Sequence, residues 1–417
     1  MNILLVHQYF LRKGQGGGSR WNEFTRIWAE RGHQVTVIAG MYCLADGTKY
    51  SECVGKLFHR EQVSANVEVL RVHTTSRYDK NFVWRAVAYW QMVVFGLLGA
   101  VLYAKKRYDV VLASSPPLTV GILGIALSVL KRRPFVFEVR DLWPESAIDT
   151  GVLTNPWVIR GMYWMEKVSY RRARAINVLT PAFRKALTAR KGIPPERVWM
   201  IPNAADLELV KPGPVDEEIR RKHGWGDRFV GIYVGAHGVA NRLGQLIDAA
   251  KLLRDEPEYL IVLLGNGMEK EALVEAADRE GLTNIQFLDT VPKEEVGRYL
   301  NAADVSLIVL QKNDTFKTVY PNKMFDSMAA ARPIILAIDG AARELVVDAA
   351  GCGTFVEPEN AEQIVAAMKA YRENPDMVRR HGENGRKYVA EHYDRRVLGA
   401  RYIALLERAV RQPAAGG

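Results

Sequence analysis

Phe229-Val230-Gly231-Ile232-Tyr233-Val234-Gly235-Ala236-His237-Gly238 joins an apolar run to a glycine-bearing turn, and helical periodicity follows over Arg242–Leu253. An apolar run of this length without alternation reads as a strand covered on both faces. Strand, glycine turn and helix together open a parallel βα unit. The chain has opened in this way once before. Ile3–Val6 leads into Gly16-Gly17-Gly18-Ser19, and helical periodicity follows over Arg20–Arg31. A pattern that starts twice in one chain predicts two domains of the same class.

Working outward, further strand-like runs in the first half are Val35–Ala39, Val67–Val72, Val110–Ala113, Phe135–Val139 and Ala175–Leu179, with a helical segment at Pro156–Arg172. In the second half they are Tyr259–Leu264, Ile285–Phe287, Val305–Val309 and Pro333–Ala337. The helical segments between these are Glu269–Glu280, Lys293–Asn301 and Asn322–Ala331. Pro202, Pro212, Gly213 and Pro214 mark the linker. The expected division is 1–205, 206–390 and a C-terminal helix, 391–411, returning to the first domain. The fold class expected is α/β, with two facing Rossmann-like domains, parallel sheets and a cleft between them. Ligands in such sheets lie outside the carboxyl ends of the strands.

The chain has 417 residues, which suits two domains. At 48% hydrophobic and 25% charged it is an ordinary globular composition. Its three cysteines, Cys43, Cys53 and Cys352, have no ligand or disulfide spacing. An odd count without a framework, and an apolar strand at the start in place of a signal segment, give a cytoplasmic expectation. The net charge of +10 suits phosphorylated or anionic partners. No nucleic-acid-binding pattern accompanies it, so no nucleic-acid partner is expected. Ala86–Ala104 is free of formal charge and flanked by Arg85 and by Lys105, Lys106 and Arg107. It is long enough to span a bilayer. Strand-like runs on both sides leave three readings: a core crossover helix, a helix on a membrane surface, or a span. Tyr89, Trp90 and the basic flanks suit an interface.

Four places carry candidate chemistry. Gly16, Gly17, Gly18 and Ser19 can bring backbone N–H groups to an anion at a helix start, as an acceptor or phosphate loop. Asp141 ends the run Val136-Phe137-Glu138-Val139-Arg140-Asp141, at the carboxyl end of a strand, where it can steer or deprotonate an acceptor hydroxyl. Gly235, His237, Gly238 and Arg242 form a second phosphate-suited turn, with His237 a donor if protonated and Arg242 a fixed charge. The strongest constellation is Thr318-Val319-Tyr320-Pro321-Asn322-Lys323-Met324-Phe325-Asp326. Lys323 falls in a first helical turn, where an ammonium opposes the dipole unless an anion is present. Asp326 lies one turn on and can accept from a ribose diol. Thr318, Tyr320 and Asn322 complete the donor-site set, and Lys323 and Asp141 are the catalytic candidates. No Asp-x-Asp, histidine cluster or GxxxxGK[ST] occurs, so neither metal nor other cofactor is expected.

At these residues the chain resembles family 4 glycosyltransferases of GT-B fold. Ile201-Pro202-Asn203-Ala204-Ala205-Asp206, Gly265-Asn266-Gly267 and Asp326-Ser327-Met328-Ala329 match family positions. RDLWPES (140–146) and the PNK-x-FD-x-MAA run (321–330) are similar to a bacterial surface-polysaccharide subgroup that includes L-fucosamine transferases of O-antigen or capsule assembly. The resemblance implies retention at the anomeric carbon and a nucleotide-sugar donor, UDP-linked by family analogy. It implies a lipid-linked saccharide acceptor at the inner face of the cytoplasmic membrane, an anionic surface, and closure of the two domains around the substrates. The family's Glu-x7-Glu is changed, since Thr318 and Asp326 hold those positions. Its phosphate-binding Arg and Lys fall near Ala236 and Asn241. Two rival readings are a non-catalytic membrane partner and a non-hydrolysing sugar-nucleotide 2-epimerase.

Overall fold

The computed structural model describes the chain except for residues 13, 16–19, 43–47, 76–81, 105–106 and 412–417. Gly16, Gly17, Gly18, Ser19 and Cys43 therefore lie outside the described residues. The chain forms two compact units. The first comprises Met1–Leu11, Ser19–Pro202 and Arg396–Gly417, and the second holds Asn203–Arg395.

The first unit is built on β1 (Asn2–Val6), β2 (Gln34–Gly40), β3 (Phe58–Ser64), β4 (Val67–Val72), β5 (Val110–Ser115), β6 (Phe135–Val139), β7 (Ala175–Val178) and β8 (Val198–Met200). They lie in the order β3-β4-β2-β1-β5-β6-β7-β8. All pair parallel except β3, which runs antiparallel to β4 at the edge. β3 was not legible as a strand because FHREQVS is mostly polar. Its edge is instead held by Arg60–Glu68 and Arg71–Glu61 ion pairs, a composition that discourages further pairing.

The helices used below are α1 (Arg20–Glu30), α2 (Phe82–Leu102), α3 (Thr119–Lys131), α4 (Pro156–Arg172), α5 (Gly244–Leu252), α6 (Lys270–Arg279), α7 (Asn322–Ala329) and α8 (Arg395–Arg411). α2 leaves β4 and returns to β5 in the same sheet. Ala88, Met92 and Ala100 are fully buried. A side chain at Gly96 would collide with Leu123 of α3, and one at Gly99 would press on Leu70 and Phe58. A helix packed this closely on its own sheet along one face cannot be surrounded by lipid, so the spanning reading of Ala86–Ala104 is corrected to a crossover helix. The C-terminal α8 closes on α1: Trp28 Nε1 donates to the Gly399 carbonyl at 3.0 Å, and the Tyr402 ring meets Trp21 edge-on at 5.6 Å.

The second unit has β9 (Phe229–Val234), β10 (Tyr259–Leu264), β11 (Ile285–Leu288), β12 (Val305–Val309), β13 (Ile334–Ala337) and β14 (Gly353–Phe355). Their order is β11-β10-β9-β12-β13-β14, all parallel. This is the doubly wound order, with its reversal between β9 and β12. The helix read over Arg242–Leu253 begins later, at Gly244. Val239–Asn241 makes a tight turn that Arg242 closes with φ of 46°. The stretch Lys293–Asn301 likewise opens as a tight turn, Lys293–Glu295, before a helix over Val296–Ala302.

One buried ion pair organises the first unit. Arg20, at the first position of α1, donates from Nη2 and Nε to Glu138 of β6 at 2.9 and 3.1 Å, with both side chains essentially inaccessible. Arg20 also donates to the Ile201 and Pro202 carbonyls, while Asn177 and Ser114 donate to the Glu138 carboxylate. Four donations from the guanidinium and four to the carboxylate offset the desolvation of the two charges. Glu138→Ala leaves Arg20 buried and unpaired. It is expected to cost about 3–5 kcal/mol in chemical denaturation; a loss below about 1 kcal/mol would contradict this account.

Candidate functional site

In a doubly wound sheet the loops diverge where the strand order reverses, leaving a crevice at the carboxyl ends. In the second unit that point lies beyond β9 and β12. The loop after β9, Gly235–Gly238, is locked to the loop after β10, Gly265–Gly267. His237 N donates to the Asn266 carbonyl at 2.8 Å, and Glu269 N donates back to the His237 carbonyl at 3.0 Å. The two loops touch so closely that a Cβ on Gly265 would overlap the Gly235 carbonyl, and one on Gly267 the His237 backbone. Glycine is required there for approach alone. Lys270, the first residue of α6, ties the layer together. Its Nζ donates to the Gly265 and Leu288 carbonyls, both at 3.1 Å, and to Asp289 at 2.6 Å. The backbone N–H groups of Ala236 and Gly238 donate to no protein acceptor among the described residues.

α7 starts opposite this layer. Pro321 precedes it and no side chain caps its first turn, the kind of helix start that suits an anion. Lys323, the second residue of α7, reaches across to the β9 loop. Its Nζ donates to the Tyr233 hydroxyl at 2.6 Å and to Asn241 Oδ1 at 3.2 Å, and it sits 3.8 Å from the centre of the Tyr233 ring. The tyrosine hydroxyl passes its own proton to the Ala236 carbonyl at 2.8 Å. The ring face favours the ammonium. Burial outweighs it and pulls the Lys323 pKa down to about 7.

The structure brings Gly235, His237, Gly238, Asn322 and Lys323 to one place and corrects several roles. His237 is wholly buried, and neither ring nitrogen has a partner. Burial, then Lys270, then Lys323 push its pKa down to about 4. It is a neutral imidazole near neutral pH, so the condition attached to its cationic donor role is not met. Arg242 turns outward to Glu359 at 3.7 Å because its left-handed backbone redirects the side chain. Tyr320 is core: its ring meets Phe325, and burial raises its pKa to about 12. Its hydroxyl hydrogen-bonds Tyr393, and its carbonyl accepts from Asn203 at 3.2 Å. Thr318 donates to the Thr315 carbonyl at 2.5 Å and so closes its own turn. Asn322 keeps a buried, unpartnered Oδ1 at the start of α7. Asp326 accepts from Lys293 Nζ at 2.5 Å, with both side chains largely covered. The carboxylate that the sequence offered to a ribose diol is thus engaged by Lys293.

Lys270, Lys293 and Tyr233 were not singled out from the sequence, and Asn241 entered it only as a position near which a family phosphate-binding residue falls. Lys270 carries the same signal as Lys323, a cation in a first helical turn, and was legible on that ground. The other three depend on which loops meet, and no local pattern announces that.

Asp141 belongs to the first unit, just beyond β6. Burial raises its carboxyl to about 6, with Arg140 opposing. His7, just beyond β1, is buried and held well below the usual imidazole value, first by burial and then by Arg140. The carboxyl ends of β1 and β6 in the first unit thus present a neutral histidine, an arginine and an acid titrating close to neutrality. Among the described residues, no group of three His, Cys, Asp or Glu side chains is placed to hold a metal ion.

Two family models match the chain. Residues 15–204 match the glycosyl transferase 4-like domain, and residues 215–388 match the glycosyl transferases group 1. The chain belongs to these glycosyl transferase families. It is 26% identical over 218 residues to the putative colanic acid biosynthesis glycosyl transferase WcaI of Escherichia coli K12, a match covering 51% of this chain and 52% of that protein. It is 25% identical over 262 residues to the probable glycosyltransferase WbjE of Pseudomonas aeruginosa, covering 61% and 64%. The match thus spans about half to two thirds of these relatives' length. Among solved structures, the sucrose-phosphate synthase of Thermosynechococcus elongatus superposes with a TM-score of 0.77 at 16% identity, over 98% of each chain. Alr3699/HepE from Anabaena, in complex with UDP and glucose, gives 0.73 at 17% identity, over 97% of this chain and 99% of that one. These likenesses establish the GT-B fold class of two Rossmann-like domains.

The Lys323 amine sheds its proton in the folded protein from about pH 7 upward, whereas the unfolded chain keeps it until about 10.5. Between those values the unfolded state binds more protons, so this residue makes folding more favourable as pH rises. Lys323→Met is expected to flatten the stability profile across that window in urea titrations. A profile with unchanged slope would show that the amine is not depressed.

Proposed function

We propose that the chain is a retaining, metal-independent glycosyltransferase that moves a sugar from a nucleoside-diphosphate donor to a lipid-linked saccharide. The carrying observation is the uncapped start of α7 and the Lys323 amine beside the braced Gly235–Gly238 loop. This is a built seat for a diphosphate at the switch point of a doubly wound sheet. The donor's phosphates lie against the N–H groups of Ala236, Gly238 and Asn322 and take Lys323 as an ammonium. His237 donates one N–H as a neutral imidazole, and Lys270 adds positive field from behind the loop. The ribose approaches Asp326 and Lys293. The donor's base is uracil by analogy, since the structurally similar Anabaena protein was solved with UDP.

Transfer breaks the bond between the anomeric carbon and the β-phosphate oxygen, and the electron pair leaves with the phosphate. Preorganised amides and the ammonium stabilise that developing charge. The acceptor hydroxyl adds to the same face, and its proton passes to the departing phosphate. Asp141 accepts a hydrogen bond from the acceptor and orients it. The acceptor is a saccharide on a lipid carrier at the cytoplasmic face of the membrane, where a surface-polysaccharide chain is assembled. The kinship to named polysaccharide transferases and the basic balance support this placement.

Two outcomes test the donor seat. Lys323→Ala is expected to lower turnover on the true donor by roughly 10²–10³, the scale of losing one charge-stabilising group. Turnover within a few-fold of the native enzyme would refute the scheme. In calorimetric titration at pH 8, UDP is expected to bind with uptake of close to one proton, because the diphosphate recharges Lys323. Affinity should fall about tenfold for each pH unit above about 7. Proton uptake that persists in Lys323→Met would assign the effect to another group.

A further inference from the structure

The first unit carries a second cluster of charge, remote from the carboxyl ends of its strands. Arg132 and Arg133 follow α3, Arg172 ends α4, and Arg174 precedes β7. With Ser128, Pro134 and Phe135 these four arginines line a cavity of about 370 Å³. Cations near the last turns of α3 and α4 complement the helix dipoles. That does not account for four guanidinium groups sharing one cavity. Among the described residues no carboxylate pairs with Arg132, Arg133 or Arg172. Arg174 Nη1 donates to the Ala409 carbonyl at 3.0 Å. The residue that ends α3 is bound to the end of α2: Lys131 Nζ donates to the Ala104 carbonyl at 2.5 Å and to Ala100 at 3.3 Å. The two helix ends therefore form one surface beside the cavity.

That surface is apolar where solvent should prefer charge. Val129 and Leu130 are 68% and 45% exposed. Val83, Trp90, Val94, Leu98 and Val101 are also exposed, and their spacing of seven, four, four and three residues places them along one stripe of α2. An apolar stripe beside an arginine cluster, in which Arg132, Arg133 and Arg172 have no carboxylate partner among the described residues, matches the layering of an anionic bilayer, with acyl chains below phosphate. Guanidinium forks suit phosphate oxygens better than any other common headgroup group.

We propose that Arg132, Arg133, Arg172 and Arg174 seat the phosphate headgroups of anionic phospholipid, while the α2 stripe and Val129–Leu130 enter the acyl boundary beside them. This deepens, and rests on, the membrane part of the proposed function; it does not depend on the donor seat. The test is flotation of the full chain with phosphatidylglycerol-containing vesicles and with pure phosphatidylcholine vesicles. The variants are Arg132→Asn/Arg133→Gln, with asparagine chosen because it tolerates the left-handed backbone of Arg132, and Arg172→Gln on a separate helix. Arg379→Gln/Arg380→Gln, in the second unit, removes the same charge elsewhere.

The native chain is expected to float with anionic vesicles only. The Arg132/Arg133 pair should lose about 20- to 30-fold in partitioning, each arginine near an anionic surface being worth on the order of fivefold. Arg172→Gln should lose about fivefold, and the Arg379/Arg380 control should keep most of its binding. Native flotation with anionic vesicles that all variants share would overturn the headgroup seat and leave the membrane reading standing. Equal flotation with both vesicle types would also overturn the seat. Failure of the native chain to float with either would overturn both.

Discussion

The second unit depends on one constraint: a lysine amine held half-buried at the start of a helix, between a tyrosine hydroxyl and an asparagine carbonyl oxygen. No carboxylate among the described residues pairs with it, and burial draws its pKa down to about 7. Tyr233 and Asn241 fix the amine at 2.6 and 3.2 Å, so little motion is needed to meet a ligand. Groups positioned before a reaction cost no reorganisation during it, and this is where electrostatic catalysis finds its magnitude. The paired loops beneath, joined backbone to backbone at His237, Asn266 and Glu269, keep the layer rigid.

The first unit solves a similar problem by the opposite means. Arg20 also stands in a first helical turn against the dipole, but a buried carboxylate answers it. Two carbonyls complete the shell of Arg20, and Asn177 and Ser114 complete that of Glu138. An answered cation serves structure, and an unanswered one waits for a ligand. The sequence shows both as a basic residue opening a helix, so the distinction rests on what the neighbouring strand presents.

This contrast explains what could be read from the chain alone. The repeated strand, glycine turn and helix was legible because buried parallel strands are continuous apolar runs and their turns need glycine. Lys323 was legible because its charge opposes the helix dipole. Edge strand β3 was hidden by its charges, and β8 and β14 by their shortness. The roles of Arg242 and Tyr320 were misread for local reasons: a left-handed backbone turns one side chain outward, and a pocket of rings takes the other into the core. Lys293 at Asp326 could not be read at all, since 33 residues separate them and only the sheet order brings them together.

The most direct measurement is a crystal structure grown with a nucleoside diphosphate. The account predicts the β-phosphate within hydrogen-bond reach of Lys323 Nζ and of the Ala236 and Gly238 amides, with Tyr233 still bonded to the Ala236 carbonyl. Phosphates bound away from both the β9 loop and the start of α7 would contradict it.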